Sequence, residues 1–291
     1  MRDFFYLLKA ALQKWRDDNA TRLSAALSYY GIFSLAPLLL IVIAAAGAFI
    51  GRDAVQGRII DQFSGLLGVD GAKAIEIMIA GAYRSDSGLT ATMIGIGVLL
   101  FGATGLFVEL QDALDVVWGV APNPKGNFFR FFKERWVSFL MILVIGFLLL
   151  MSLVFSALLS FLTEYSSELL PLPGFFIQFI NFVFSIVMTA LLFGAIFKFL
   201  PSIHIAWREV WAGALVSAVL FSVGKYLLGM YLGRAAITSG YGAAGSLIII
   251  LLWSNYSCQI LLFGAEFAQV RASLNGKIIR FKSAKWHNNK Y

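Results

Sequence analysis

Long apolar segments constrain the fold of this chain more strongly than any other feature. Six of them cover roughly residues 27–50, 89–118, 136–163, 175–200, 209–232 and 244–270. A run of about 20 apolar residues is enough for a helix to cross the hydrocarbon core of a bilayer. A helix also satisfies its own backbone hydrogen bonds where no water is present. The sequence therefore predicts an all-α, polytopic protein with six transmembrane helices in a single integral-membrane domain over residues 1–291.

The amino-acid composition supports the same class. Hydrophobic residues make up 59% of the chain and charged residues only 13%, whereas soluble domains average about 45–50% and about 25%. The single cysteine, Cys258, lies inside an apolar segment, which excludes a disulfide framework and a cysteine metal cluster.

Lysine and arginine residues are divided unevenly between the segments that join the spans. Seventeen of the 23 lie before the first span, after the second and fourth spans and in the tail, whereas five lie in the segments on the opposite side. Cytoplasmic segments carry the excess of basic residues in membrane proteins. We therefore expect a multi-pass protein with both termini in the cytoplasm.

Amphipathic patterns lie outside the predicted spans. Segment 3–18 repeats apolar residues at helical spacing with basic residues between them, which is typical of a helix in the membrane interface. The external segment 52–88 carries two such patterns separated by Gly68 and Gly71, and predicts two short helices that either cap the bundle or form a lid over it. The tail, 271–291, is basic and is predicted to be cytoplasmic.

Three predicted spans carry polar side chains at spacings of one to four residues: Ser28 and Tyr29 in the first, Gln178, Asn181 and Ser185 in the fourth, and Asn255 and Gln259 in the sixth. Such groups can hold membrane helices together through hydrogen bonds of about 0.6 kcal/mol each. Small residues spaced four apart, such as Ala214 and Ala218, can also hold helices together, because they let the backbones approach closely. Alternatively they line a hydrated cavity. Because four of them are amides, which one neighbour cannot satisfy, we predict that they belong to a substrate pathway.

Lys225 lies within the fifth predicted span. An ionisable residue near the bilayer centre costs about 2.5–3.5 kcal/mol and indicates a functional site, although a lysine near the membrane surface can extend its ammonium group towards water. We place Lys225 in the predicted substrate pathway.

Charges of both signs and one proline mark the cytoplasmic half of the bundle. Ion pairs or a gate at this side are predicted from Arg22, Glu109, Asp112, Glu266 and Arg271.

Pro37 cannot donate a hydrogen bond to the carbonyl of Phe33, and it predicts a break in the first span.

Motifs for catalysis are not apparent in the sequence. The two histidines, His204 and His287, have no cluster of acidic or cysteine residues near them, and the chain has no phosphate-binding glycine loop or nucleophile elbow. We therefore expect no metal, no cofactor and no enzymatic activity.

Four blocks carry a family resemblance: RLSAALSYYGIFSLAPLLL, ELQDALDVVWGVAP, FLPSIHIAWREVWAGAL and YGAAGSLIIILLWSNYSCQILLFGAEFAQV. In this order, over about residues 5–275, they resemble the YihY/virulence factor BrkB family of bacterial inner-membrane proteins, which is also catalogued as ribonuclease BN-like. The resemblance implies a six-span inner-membrane protein and a transporter or exporter connected with the cell envelope. The positions that it highlights are Arg22, Tyr29, Tyr30, Pro37, Asp112, Trp118, Pro201, Gly213, Lys225, Tyr231, Tyr241, Gly242, Trp253 and Glu266. Asp115 departs from the resemblance, which leads us to expect asparagine there.

Two classes of function remain open. The leading hypothesis is a transporter or flippase-like exporter that moves an amphipathic or anionic envelope component, such as a lipid, through a polar cavity. The alternative is a non-transporting scaffold of the cell envelope; ribonuclease activity is disfavoured. We expect membrane lipids as partners and no nucleic acid, and leave open a homo-oligomer and envelope partner proteins.

Overall fold

The computed structural model describes residues 2–83, 105–120, 174–234 and 245–274, with a few isolated positions between 140 and 151. Almost all of the predicted third span, the beginning of the second span and the tail beyond residue 274 lie outside the described residues, so the predictions for them stay predictions. The described part contains no strand, and the all-α class is confirmed.

Six long helices form the described part of the chain. They are α1 (Arg2–Asp17), α2 (Ala20–Ile50), α3 (Arg52–Tyr83), α4 (Gly174–Phe199), α5 (Trp207–Arg234) and α6 (Gly245–Leu274). Residues 105–117 are also helical and belong to the end of the predicted second span.

Four of these helices are long and apolar enough to cross a membrane. The apolar stretches are Ala20–Ala44 in α2, Phe179–Phe199 in α4, Trp207–Leu228 in α5 and Gly245–Leu274 in α6. They coincide with the first, fourth, fifth and sixth predicted spans. Within the described residues the structure thus has four candidate spans rather than six.

Helix α6 lies at the centre of the described bundle. Helices α1, α2, α3 and α5 all pack against it, and α4 packs against α5. One buried cluster includes Leu27, Leu114, Trp118 and Leu262, near the C-terminus of α1. A second buried cluster joins α3 to the other halves of α2 and α6. We call the two ends of the bundle the α1 end and the α3 end.

Helix α1 uses one face to pack on the bundle and leaves the other exposed. Ala11 is fully buried and belongs to a cluster with Ala212 of α5 and Phe267 of α6. On the opposite face Phe5 is 68% exposed and Leu12 is 42% exposed. This helix therefore combines contact with α5 and α6 with an exposed apolar surface.

Two backbone features differ in their effect on the helices. Gly68 has a φ of 76° and divides α3 into two helical halves, at a backbone conformation that glycine adopts without strain. Pro37, in contrast, lies inside the continuous helix α2. The predicted break at Pro37 is wrong, because loss of a single hydrogen bond, that of the Phe33 carbonyl, is tolerated while packing holds both halves in line.

The end of segment 105–117 fixes the connection between α4 and α5. The Asp115 carboxylate is buried and accepts a hydrogen bond of 2.8 Å from the backbone N–H of Ser202. Gln111 donates a hydrogen bond of 3.0 Å to the hydroxyl of the same serine. Lys198 donates a bond of 2.6 Å to the carbonyl of Ile205. Side chains from two elements therefore close this connection.

Replacement of Asp115 separates its hydrogen bond from its charge. Asp115→Ala leaves the Ser202 N–H without this acceptor, and we expect a loss of about 1–3 kcal/mol in the free energy of unfolding. Asp115→Asn keeps an oxygen in the same position and should cost much less. Thermal unfolding of the purified variants in detergent measures both. Equal losses for the alanine and asparagine variants would show that the carboxylate charge, not this bond, matters.

Candidate functional site

The polar face of α6 begins with a pair of amides. The Gln259 side chain donates a hydrogen bond of 2.6 Å to the Asn255 side-chain oxygen. Both side chains are half-buried. Each amide offers two donors and two acceptor lone pairs, and this bond uses one donor and one lone pair. Within the described part of the chain, the amides are bonded to each other and not to another helix.

Helix α2 contributes hydroxyl groups to the same region. Ser28 is buried and donates a hydrogen bond of 2.6 Å to the carbonyl of Ser24 on its own helix. The Cys258 thiol on α6 interacts with the hydroxyls of Ser28 and Ser254. The structure therefore brings Ser28 next to the polar face of α6.

Tyr29 is turned away from this buried position. It is 59% exposed and contacts the ring of Phe33 at a centroid distance of 4.9 Å. Tyr30, its neighbour in edge contact at 5.8 Å, is 42% exposed. The two tyrosines and Phe33 form an exposed aromatic group on α2.

The predicted polar stripe of α4 lies on a different surface. Asn181 and Ser185 are exposed, and the Ser185 carbonyl accepts a hydrogen bond of 2.8 Å from the Thr189 hydroxyl. The Gln178 side chain lies outside the described residues. Since α4 packs on α5 through its opposite face, the described structure does not join this stripe to the α6 amides.

Lys225 is exposed near the α3 end of α5. Its neighbour Tyr226 is 79% exposed, and Val223 and Leu227 are each more than half exposed. Because these three neighbours are exposed as well, Lys225 lies on the outer surface of the described bundle and not between its helices.

Charged residues converge at the α1 end around Glu266. Its side chain is fully buried in α6. The ammonium nitrogen of Lys14 in α1 is 3.9 Å from Glu266 Oε2. The same nitrogen is 3.3 Å from Asp18 Oδ2 and donates a bond of 3.3 Å to the carbonyl of Val117. Lys14 thus links α1, α6 and segment 105–117.

A second ion pair lies one turn further along α6. Arg271 Nε is 3.5 Å from Oε2 of Glu209, which is buried in the first turn of α5. Of the five residues predicted to form ion pairs, Glu266 and Arg271 do so. Their partners lie outside the predicted set, because Glu266 pairs with Lys14 and Arg271 pairs with Glu209.

The remaining predicted gate residues have other positions. Arg22 and Asp112 are exposed, and Glu109 is half-buried. Arg22 follows the turn at Asn19, a residue with a φ of 52°, and this left-handed backbone directs the chain from α1 into α2. Among the described residues, Arg22 and Glu109 take part in no ion pair.

Lys14, Asp18 and Glu209 were missed by the sequence prediction. Lys14 is one turn beyond the buried Ala11, on the helix face that also carries Leu7 and Asp18. This spacing of three and four residues is the signal that places Lys14 on the packed face. Its partner Glu266 could not be found in this way, because pairing depends on which helices are neighbours.

Metal binding has no support from the described residues. No group of three or more histidine, cysteine, aspartate or glutamate side chains among them could hold an ion.

Comparison with known sequences assigns the chain to a family. The profile of the family described as Virulence factor BrkB matches residues 11–285, which is nearly the whole chain. The chain belongs to the virulence factor BrkB family. The resemblance of the four sequence blocks is therefore confirmed.

Relatives of this BrkB-family chain are membrane proteins without a named activity. It is similar to a UPF0761 membrane protein of Ralstonia nicotianae, with 25% identity over 90% of this chain and 58% of the relative. A UPF0761 membrane protein of Photobacterium profundum is 26% identical over 86% of this chain and 76% of the relative. The chain spans 58% of the first relative, so the whole relative contains additional sequence. No solved structure matches the chain.

Proposed function

We propose that this membrane protein of the BrkB family moves an amphipathic or anionic envelope component, such as a lipid, along the polar face of α6. We further propose that it resides in the bacterial inner membrane with both termini in the cytoplasm, so that the α1 end is the cytoplasmic end. The amide pair Asn255–Gln259 is the observation that carries the first proposal.

Amides that serve only helix association bond across to another helix. The bond between Asn255 and Gln259 lies within α6 instead. The hydroxyls of Ser28, Ser222 and Ser257 likewise donate to carbonyls four residues earlier on their own helices. Apart from Ser28, which also contacts Cys258 of α6, these side chains bond within their own helices, and the amides retain donors and acceptors for a polar ligand.

The side of α6 that carries these amides also carries Glu266, nearer the α1 end. Asn255, Gln259 and Glu266 follow one another at spacings of four and seven residues, which keeps them on one side of the helix. Lys225, exposed near the other end of the bundle, supplies a positive charge that attracts an anionic head group. A ligand with a polar head and apolar chains suits this combination, because its chains can remain in the hydrocarbon core.

Lipid retention in the purified protein provides a first test. Native mass spectrometry compares the lipids bound to the wild type with the bulk membrane composition. We expect an anionic class to be enriched, and several-fold less of it on Gln259→Leu and Lys225→Ala. The matched control is Ser257→Ala, which removes a hydroxyl already satisfied within α6.

Retention that mirrors the bulk membrane in every variant would contradict the proposal. It would favour the alternative, a non-transporting scaffold of the cell envelope, in which Gln259→Leu impairs assembly but no substrate moves.

A further inference from the structure

The carboxyl group of Glu266 has an unusual environment for an acidic residue in a membrane helix. The side chain has no exposed surface, and neither carboxylate oxygen accepts a hydrogen bond from the described residues. The nearest cation, the ammonium group of Lys14, is 3.9 Å away, which is longer than a charge-assisted hydrogen bond of about 2.7–2.9 Å.

Lys14 is also shared with a second carboxylate. Its ammonium group approaches Asp18 at 3.3 Å and donates to the carbonyl of Val117 at the same distance. One positive charge therefore faces two carboxylates and a carbonyl oxygen, so that the cluster lacks one positive charge if both carboxylates are ionised.

Other charged groups around Glu266 do not supply that charge in the described structure. Asp17, on α1, adds another negative charge and is exposed. Arg22, on α2, is exposed. On the α5 side, Arg271 is directed to the buried carboxylate of Glu209. In segment 105–117, Asp115 bonds to the backbone N–H of Ser202.

Burial of an ionised carboxylate without a hydrogen-bonded partner is costly, and such a group binds a proton instead. We propose that Glu266 is a proton-binding site at the α1 end of the bundle, and that Lys14 exchanges between Asp18 and Glu266 as the proton leaves and returns. With the proton bound, Lys14 pairs with Asp18. When Glu266 releases its proton, the ammonium group moves about 1 Å towards Glu266 and forms a direct ion pair.

The proton has a route to water through this cluster. It passes from the Glu266 carboxyl to the Asp18 carboxylate, which interacts directly with the Glu266 side chain and is 25% exposed, and from there to solvent. The O–H bond of Glu266 breaks as that of Asp18 forms, and Asp18 then regains its negative charge. Because Lys14 ties α1 to α6, protonation also changes how α1 is held.

This site extends the proposed function, because a proton that binds and leaves at α6 can drive movement of a substrate along the same helix. The coupling to transport rests on the proposed function, whereas proton binding by Glu266 does not.

Labelling with a hydrophobic carbodiimide tests proton binding directly, because the reagent reacts with protonated carboxyl groups in apolar surroundings. The full-length protein is labelled in lipid nanodiscs from acidic to alkaline pH, and the modified residues are identified by peptide mass spectrometry. We expect Glu266 to be labelled at neutral pH. Labelling should fall several-fold in Asp18→Asn, because Lys14 is then free to pair with Glu266.

Two lysine variants test the role of the ammonium group. Lys14→Met should extend labelling of Glu266 to more alkaline pH, because the carboxylate loses its cation. Lys9→Met is the matched control, since Lys9 is exposed on the same helix, and should leave the pH profile unchanged. Infrared spectra give a second measurement: a protonated-carboxyl band at neutral pH that is absent from Glu266→Gln.

The proposal is overturned if the wild type and Glu266→Gln show the same protonated-carboxyl band, or if Glu266 is labelled only under acidic conditions. Glu266 would then be an ordinary ion-pair partner. Lipid movement that is the same in wild type and Glu266→Gln would disprove coupling alone. A protonated Glu266 in a protein that moves no lipid would refute the proposed transport but not the proton site.

Discussion

Gly213→Leu abolishes the correct packing of α5 on α6, and we expect little folded protein from this variant. A Cβ atom placed on Gly213 meets the backbone oxygen of Gly264 and lies 2.9 Å from the Cβ of Ala268. The first of these contacts is with backbone, which cannot rotate out of the way. Since α6 is the centre of the described bundle, separation of α5 and α6 disturbs the packing of every helix that α6 contacts.

Smaller changes give a graded test of this close approach. Gly213→Ala adds only the Cβ atom, and overpacking of this kind costs about 1–3 kcal/mol. Gly194→Ala on α4 is the control, because its Cβ would meet Ala214 at 3.8 Å in ordinary contact. Thermal unfolding in detergent, followed by size-exclusion chromatography, compares the variants. Equal stability of Gly213→Ala and the wild type would contradict the close packing of α5 and α6.

Trp118→Ala should produce the second large effect. Trp118 is only 2% exposed, and it belongs to the buried cluster at the α1 end. Removal of a buried tryptophan side chain leaves a cavity and costs about 3–5 kcal/mol in the free energy of unfolding. Trp118 also adjoins Val117, whose carbonyl accepts a hydrogen bond from Lys14, so the variant should loosen α1 as well.

Two further tryptophan variants separate packing from hydrogen bonding. The indole nitrogen of Trp118 makes no hydrogen bond to the described residues, so Trp118→Phe should lose much less stability than the alanine variant. Trp207→Ala is the exposed control, since Trp207 is 50% exposed. Denaturant or thermal unfolding measures all three. A loss for Trp118→Phe as large as that for Trp118→Ala would contradict packing as the cause.

The sequence was sufficient to predict the transmembrane helices that the structure describes. The run 209–232, for example, lies within Trp207–Arg234 of α5, because hydropathy and length determine which segments can cross a bilayer. The predicted break at Pro37 failed for a different reason. A missing hydrogen bond can be read from the sequence, but the packing that keeps α2 continuous cannot.

The candidate site was predicted less completely, because pairing between helices depends on the tertiary arrangement. Asn255 and Gln259 were found from their spacing of four residues, and the structure shows their mutual bond. Glu266 was found as an ionisable residue in a span, but its partner Lys14 was not. The spacing of Lys14 from Ala11 could have placed it on the packed face of α1, but only the contact of α1 with α6 identifies Glu266 as its partner.

Close helix packing was predicted only in part, for the same reason. Ala214 and Ala218 fit the spacing of small residues, and both are buried. The backbones of α5 and α6, however, meet at Gly213 and Gly264, where a Cβ atom on Gly213 would contact the Gly264 carbonyl oxygen. Spacing within one helix cannot identify which small residue opposes another helix.

Movement of an anionic lipid across vesicles that contain the purified protein is the most direct test of the proposed transport. A fluorescent anionic lipid is placed in both leaflets, and a membrane-impermeant reductant is added outside. We predict that wild-type vesicles lose nearly all their fluorescence, that Gln259→Leu vesicles lose it much more slowly, and that Ser257→Ala vesicles match the wild type. Loss confined to the outer leaflet, as in protein-free vesicles, would contradict lipid transport by this protein.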